Sequence, residues 1–142
     1  MKITELLNDK KVSLSMEVFP PKTTTAFESV NKAVMKIAEL KPDFMSVTYG
    51  AGGGTSEHTV KIASEIKDAY GVSSMAHLTC VSSTIETIEH QIKLMKDAGI
   101  ENVLALRGDI PKDSEFPLSN DFRYAVDLVR KVKEIAPDMC IG

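Results

Sequence analysis

Apolar and polar residues alternate from Val12 to Phe19. Val12, Leu14, Met16 and Val18 fall on one face, and Ser13, Ser15, Glu17 and Phe19 on the other, the period-two signature of a strand. Pro20-Pro21 end it. Thr25-Ala-Phe-Glu28 then has capping-box spacing, and Phe27, Val30, Val34, Ile37 and Ala38 recur at helical period up to Lys41-Pro42, which predicts a helix. The alternation repeats. Phe44 to Tyr49 reads as a second strand, followed by a glycine-rich loop and a helix near 57–70 with Ile62, Ala63, Ile66 and Ala69 on its buried stripe and Gly71 as C-cap. Ser74 to Thr79 reads as a third strand. Ser83-Thr-Ile-Glu86 is a second capping box, and Ile85, Ile88, Ile92 and Met95 form the next stripe before Gly99-Ile100. Asn102 to Leu106 gives a fourth strand, 111–120 a polar loop, and Phe122, Ala125, Val129, Val132 and Ile135 a fourth stripe ending at Pro137. Asp138 to Gly142 reads as the start of a fifth strand.

This βα repetition places a polar cluster after each apolar run: Glu17, Thr48-Tyr49, His77 with Thr79, and Arg107-Gly-Asp109. Their spacing is about thirty residues, the length of one strand–helix unit. Reactive groups at the carboxyl ends of successive parallel strands are how a (β/α)8 barrel of the TIM type assembles an active site, because those ends open onto one face. The expected fold is therefore α/β: the first four βα units of such a barrel and the beginning of strand five, in one domain spanning residues 1–142. In that arrangement Ser13, Ser15 and Glu17 face the barrel interior and the apolar face of the first strand meets helices.

Composition narrows the functional classes. The 142 residues are 43% hydrophobic and 26% charged, enough apolar material for a real core. Seventeen basic and twenty acidic residues give a net charge of −3 with no Lys/Arg stripe, which argues against nucleic acid as a partner. The opening Met1-Lys-Ile-Thr-Glu-Leu-Leu7 carries an acid early and no apolar run approaches membrane-spanning length, so a cytoplasmic protein without membrane association is expected. Cys80 and Cys140 are far apart without a second Cys or His at metal-ligand spacing. They read as buried thiols, and no metal site is expected.

Among the strand-end residues, Glu17 is the sharpest candidate. An inward carboxyl flanked by Met16 and Val18 is expected to be partly desolvated, which raises its pKa and suits it to proton donation. A structural pairing with a neighbouring cation is the alternative. Arg107 and Asp109, separated by Gly108, present opposite charges on one side of the chain around a residue that admits a ligand closely; a local ion pair fixing a loop explains the same spacing. His77 stands out only by its alignment with the other strand ends, a hydrogen-bonded core histidine being the ordinary case. His58 and His90 fit exposed helix positions. Gly50-Ala-Gly-Gly-Gly54 lacks the Lys-Ser/Thr of a nucleotide-triphosphate loop, and Thr55 stands where a dinucleotide fingerprint needs glycine. A close backbone approach to a cofactor and an ordinary turn remain open for it.

Taken in order and spacing, Glu17-Val-Phe-Pro-Pro21, Ser46-Val-Thr-Tyr-Gly-Ala51, Ala76-His-Leu-Thr-Cys80 and Leu106-Arg-Gly-Asp109 resemble the bacterial methylenetetrahydrofolate reductases along the whole chain. The resemblance implies a flavoprotein on an eight-stranded (β/α) barrel that uses NADH or NADPH to reduce bound FAD and reduces 5,10-methylenetetrahydrofolate to 5-methyltetrahydrofolate, in one-carbon and methionine metabolism. It also implies roles for residues. Glu17 is the general acid that protonates the folate N10, opening the five-membered ring to an iminium that accepts hydride. Asp109 lies by flavin and pterin, tuning the first and stabilising the cationic form of the second. Thr48, Tyr49, Ala51, His77, Arg107, Gly108, Asp109 and Ala125 line FAD. Further cofactor and folate residues of the family, among them a Tyr-Pro-Glu-Gly-His segment after strand five, have no counterpart in these 142 residues, so self-association or a complementary half-barrel is the expected protein partner. A non-catalytic half-barrel that binds such a half is the competing reading.

Overall fold

A computed structural model describes residues 1–9, 12–21, 26–49, 56–110 and 121–142. Five strands, β1 (Ser15–Val18), β2 (Phe44–Val47), β3 (Ser73–Thr79), β4 (Asn102–Leu106) and β5 (Cys140–Ile141), alternate with α2 (Phe27–Glu39), α3 (Ser56–Tyr70), α4 (Ile85–Asp97) and α5 (Ala125–Ile135), after a short α1 (Ile3–Asp9). Neighbouring strands are all parallel and lie in the order β1-β2-β3-β4-β5. This is the α/β architecture of a partial barrel. Because each strand is followed by a helix that returns to start the next in parallel, every strand's carboxyl end lies on the same side.

Alternation along the strands sorts the side chains onto two faces. Val18, Met45, Val47, Ala76, Leu78, Val103 and Ala105 are buried in one cluster with the helix residues Val34, Ala38, Ile62, Ala63, Ile66, Ile88, Ile92, Met95, Leu128 and Val132. That layer is the core. The other face carries Glu17, Ser46, Met75, His77 and Leu104, with the register bringing Glu17 beside Ser46, Ser46 beside Met75 and His77 beside Leu104. Glu17 is exposed and Met75 and Leu104 half-buried, whereas Ser46 and His77 are buried, so this second face is open at Glu17 and partly covered beyond it.

The structure moves several details. Val12 and Leu14 are 84% and 56% exposed and precede β1, rather than packing on helices. Leu14 is held by its backbone, its N–H donating to the Asp43 carboxylate at 2.8 Å and its carbonyl accepting from Asp43 N–H. Ala69 and Ile85, assigned to buried stripes, are exposed. Ile85 is the first residue of α4, where its N–H is capped by Asp121 Oδ2 at 3.1 Å. The α4 cap itself is Thr84, accepting from Thr87 N–H, one residue beyond the expected Ser83, whose hydroxyl bonds the Thr79 carbonyl. Gly71 and Gly99 do end α3 and α4, at φ 67° each. Cys80 is buried and Cys140 half-buried, both free thiols. The α2 capping residue Thr25, the glycine loop 50–55 including Ala51, and the polar loop 111–120 lie outside the described residues.

Helix α1 has no counterpart in the periodicity. It is fixed at the amino ends of β3 and β4. The Ile3 N–H donates to Asn102 Oδ1 at 2.8 Å, Asn102 Nδ2 donates to the carbonyls of Met1 and Ser74, and the amino terminus pairs with Glu101. Ile3 and Leu6 are buried. No helix among the described residues is long and apolar enough to cross a membrane.

Candidate active site

The site is built where β1, β2 and β3 approach their carboxyl ends. Glu17 precedes the last residue of β1. Its Oε2 lies 3.4 Å from Ser46 Oγ, the residue opposite it on β2, and 3.5 Å from His77 Nε2 on β3. Ser46 and His77 are each 6% exposed. The Glu17 side chain is half exposed, with Ser46 and His77 against it among the described residues. Burial holds the imidazole of His77 below the ordinary histidine pKa, the charge of Glu17 opposing this more weakly. His77 is therefore a neutral ring beside a carboxyl group.

That protonation state has a measurable consequence. The folded chain binds a proton at His77 less readily than the unfolded chain, whose value is near 6.5, so the unfolded state carries more protons as the pH falls below that value and stability drops with it. Urea unfolding followed at neutral and mildly acidic pH should show this loss below the ordinary histidine value, and His77→Gln should flatten that part of the profile. An identical pH slope in the variant contradicts the assignment.

Thr48 and Tyr49 continue from β2. Thr48 is clamped through its backbone, its N–H donating to the Val18 carbonyl at 2.9 Å and its carbonyl accepting from Thr59 Oγ1 at 2.9 Å. Thr59 is fully buried on α3, so helix and strand are locked beside the glycine loop. Tyr49 is half-buried against the core. Neither Ser46 nor Thr59 was assigned a role from sequence; the signal available for Ser46 was its period-two step from Thr48 on the same face.

The top of β3 is stitched to the segment after β4. The Arg107 carbonyl accepts from the N–H groups of Cys80 and Val81 at 3.2 and 2.8 Å, and Arg107 Nε donates to the Gly108 carbonyl at 3.1 Å. Gly108 has φ +86°, and a Cβ there would lie 3.0 Å from Val81 Cγ1 and 3.1 Å from Thr79 Cβ. Both conformation and space demand glycine. Gly108→Ala should destabilise the fold by about 1–3 kcal/mol, read as a lower denaturant midpoint; an unchanged midpoint refutes the constraint. Asp109 follows on this turn, exposed. Among the described residues it makes no hydrogen bond to Glu17 or His77, so the structure brings Glu17, Ser46 and His77 together and sets Arg107, Gly108 and Asp109 on a neighbouring turn.

Ala125 opens α5 and is half-buried. The helix start is fixed by Asp127, whose carboxylate accepts from the N–H groups of Tyr124 and Arg123 at 2.9 and 3.1 Å. Those two bonds hold the Asp127 carboxyl below its usual pKa. Cys80 Sγ lies 3.8 Å from the Tyr124 carbonyl, and burial, then the charge of Asp127, pushes its thiol pKa up, which makes it a poor nucleophile. No three His, Cys, Asp or Glu side chains among the described residues form a metal-binding group.

Parallel βα units bring a carboxylate, an imidazole and a cation–glycine–anion turn to the carboxyl ends of one parallel sheet, which defines the chain as an α/β domain of partial-barrel type. The particular family follows from sequence: the chain belongs to the methylenetetrahydrofolate reductases, whose family model matches residues 2–142. It is 37% identical over 134 residues to methylenetetrahydrofolate reductase (NADH) 1 of Zea mays, covering 93% of this chain and 23% of that protein. It is 39% identical over 136 residues to methylenetetrahydrofolate reductase 1 of Schizosaccharomyces pombe, with 94% and 23% covered. It is 36% identical over 126 residues to 5,10-methylenetetrahydrofolate reductase of Escherichia coli, with 89% and 41% covered. The chain thus spans less than half the length of each of these relatives.

Proposed function

We propose that this chain forms the acid-bearing part of an enzyme that reduces 5,10-methylenetetrahydrofolate to 5-methyltetrahydrofolate with NADH or NADPH through FAD. The observation that carries the reading is the Glu17 carboxyl at the mouth of the open sheet face, 3.5 Å from a buried neutral His77, in a chain of this family. Glu17 is placed to protonate a basic nitrogen of a substrate lying over that face, and a folate laid there would supply the desolvation that the open face lacks. NADH is the reductant named for the maize relative, and it is one of the two nicotinamides this reading admits.

The donor set fits FAD. Arg107 offers a guanidinium for phosphate or a ring carbonyl, Gly108 a backbone without a side chain, and Thr48 and Tyr49 hydroxyls at the end of β2. Thr48, Tyr49, Ala51, His77, Arg107, Gly108, Asp109 and Ala125 would hold it, Ala51 from the glycine loop. Bound there, FAD supplies hydride transfer between nicotinamide and folate. Asp109 contributes a fixed negative charge near both ligands. Asp109→Asn should therefore raise the flavin reduction potential and slow folate reduction. A redox titration checks this, and an unchanged potential in a variant that still binds FAD refutes the role.

Among the described residues no further strand pairs with the outer edges of β1 and β5, which favours a second element of the reading, association with another copy or with a complementary half-barrel that closes the sheet.

A further inference from the structure

Glu17 has two carboxyl oxygens, and its two contacts among the described residues converge on one. Ser46 Oγ and His77 Nε2 approach Oε2, at 3.4 and 3.5 Å. Both neighbours are more than nine-tenths buried, and among the described residues His77 Nε2 has no hydrogen-bond partner, leaving a buried polar atom 3.5 Å from the carboxyl group. An unmatched buried nitrogen is costly unless a partner closes on it. The two distances are at the outer limit for hydrogen bonds, and catalytic contacts of this kind commonly tighten only when substrate is bound. The arrangement also stands on rigid supports: Ser46 is in the register pair of Glu17 on β2, and His77 is inside the longest strand.

We infer that Ser46 and His77 are positioning residues for Glu17, donating from Oγ–H and Nε2–H to Oε2 so that the transferable proton resides on Oε1. This rests on the reading of Glu17 as the acid. A carboxylic acid whose carbonyl oxygen accepts two hydrogen bonds keeps its O–H on the other oxygen. In the transfer step the Oε1–H bond breaks and an N–H bond to the folate amine nitrogen forms. The O–H electron pair remains on a carboxylate whose charge Ser46 and His77 then stabilise. The inference fixes the tautomer of His77 as Nε2–H, and it gives Ser46 a function that acts only through Glu17.

Two measurements on the purified protein test it. A long-range proton–nitrogen correlation spectrum of histidine-labelled protein, with His58 and His90 assigned by substitution, should show neutral His77 protonated at Nε2, with that resonance displaced in Glu17→Gln. A proton on Nδ1 overturns the inference, whatever the enzyme's activity. In the second measurement, Ser46→Ala should slow the folate half-reaction by about 10-fold or more, the worth of one hydrogen bond to a charged group, yet produce no further slowing in the Glu17→Gln background. Additive effects of the two substitutions, or no effect of Ser46→Ala while Glu17→Gln is slow, overturn the positioning role and leave Glu17 as the acid. Equal folate rates in wild type and Glu17→Gln overturn the acid reading itself, and the inference with it. Glu17→Gln keeps the size and polarity of the half-exposed side chain, so its folding is not at issue; circular dichroism confirms this for Ser46→Ala.

Discussion

Replacing Glu17 by Gln should slow folate reduction by roughly 10²–10⁴-fold, the usual span for removal of a general acid, while flavin reduction by the nicotinamide stays nearly intact. The separation follows from position. Glu17 stands on β1 with Ser46 and His77, whereas Arg107 and Gly108 occupy the turn after β4. A proton donor matters only to the half-reaction in which a substrate nitrogen must be protonated. Stopped-flow measurement of the two half-reactions distinguishes the cases, and equal slowing of both contradicts the assignment. Gln preserves the shape of the side chain and its ability to accept from Ser46, so the change isolates the transferable proton.

The second large effect concerns association. On their own, these 142 residues form a parallel sheet in which β1 and β5 each have one hydrogen-bonded neighbour among the described strands. The outer edges are thus β1 and the short β5 (Cys140–Ile141), one strand beyond the four complete βα units read from sequence. The open face beside them carries half-buried Met75 and Leu104, with Phe19 67% exposed just past β1. Parallel sheets are ordinarily covered on both faces, and bare edges recruit further strands. A second copy meeting both edges and this face should therefore give a dimer whose melting temperature rises with protein concentration. Light scattering coupled to gel filtration, with thermal unfolding at several concentrations, checks it. A monodisperse monomer melting cooperatively at a concentration-independent temperature contradicts it.

The periodic parts of the fold were legible in the sequence because they record burial directly. Ile62, Ala63 and Ile66, or Ile88, Ile92 and Met95, repeat at helical spacing because one side of each helix packs on the sheet. Residues at element ends were less legible. Ile85 satisfies the periodicity of α4 yet sits at its exposed first position, and the cap falls on Thr84 rather than Ser83 because either hydroxyl can serve and the neighbouring contacts decide. Helix α1 escaped because its two buried apolar residues, Ile3 and Leu6, are too few to set a period. It is held instead by Asn102, far along the chain.

The candidate site was legible to the same degree and for the same reason. Glu17 and His77 could be placed at strand ends from spacing, but their mutual approach depends on strand register, a tertiary property. The exposure of Glu17 likewise depends on what covers the open face. Ser46 gains its place in the site only from the register that sets it opposite Glu17.

An anaerobic spectroscopic cycle on the purified protein tests whether the chain carries flavin between nicotinamide and folate. The purified protein should be yellow, its visible flavin absorbance bleached by NADH or NADPH and restored by 5,10-methylenetetrahydrofolate, with 5-methyltetrahydrofolate as the product. A protein that carries no flavin, or a bleached flavin that the folate does not restore, contradicts it.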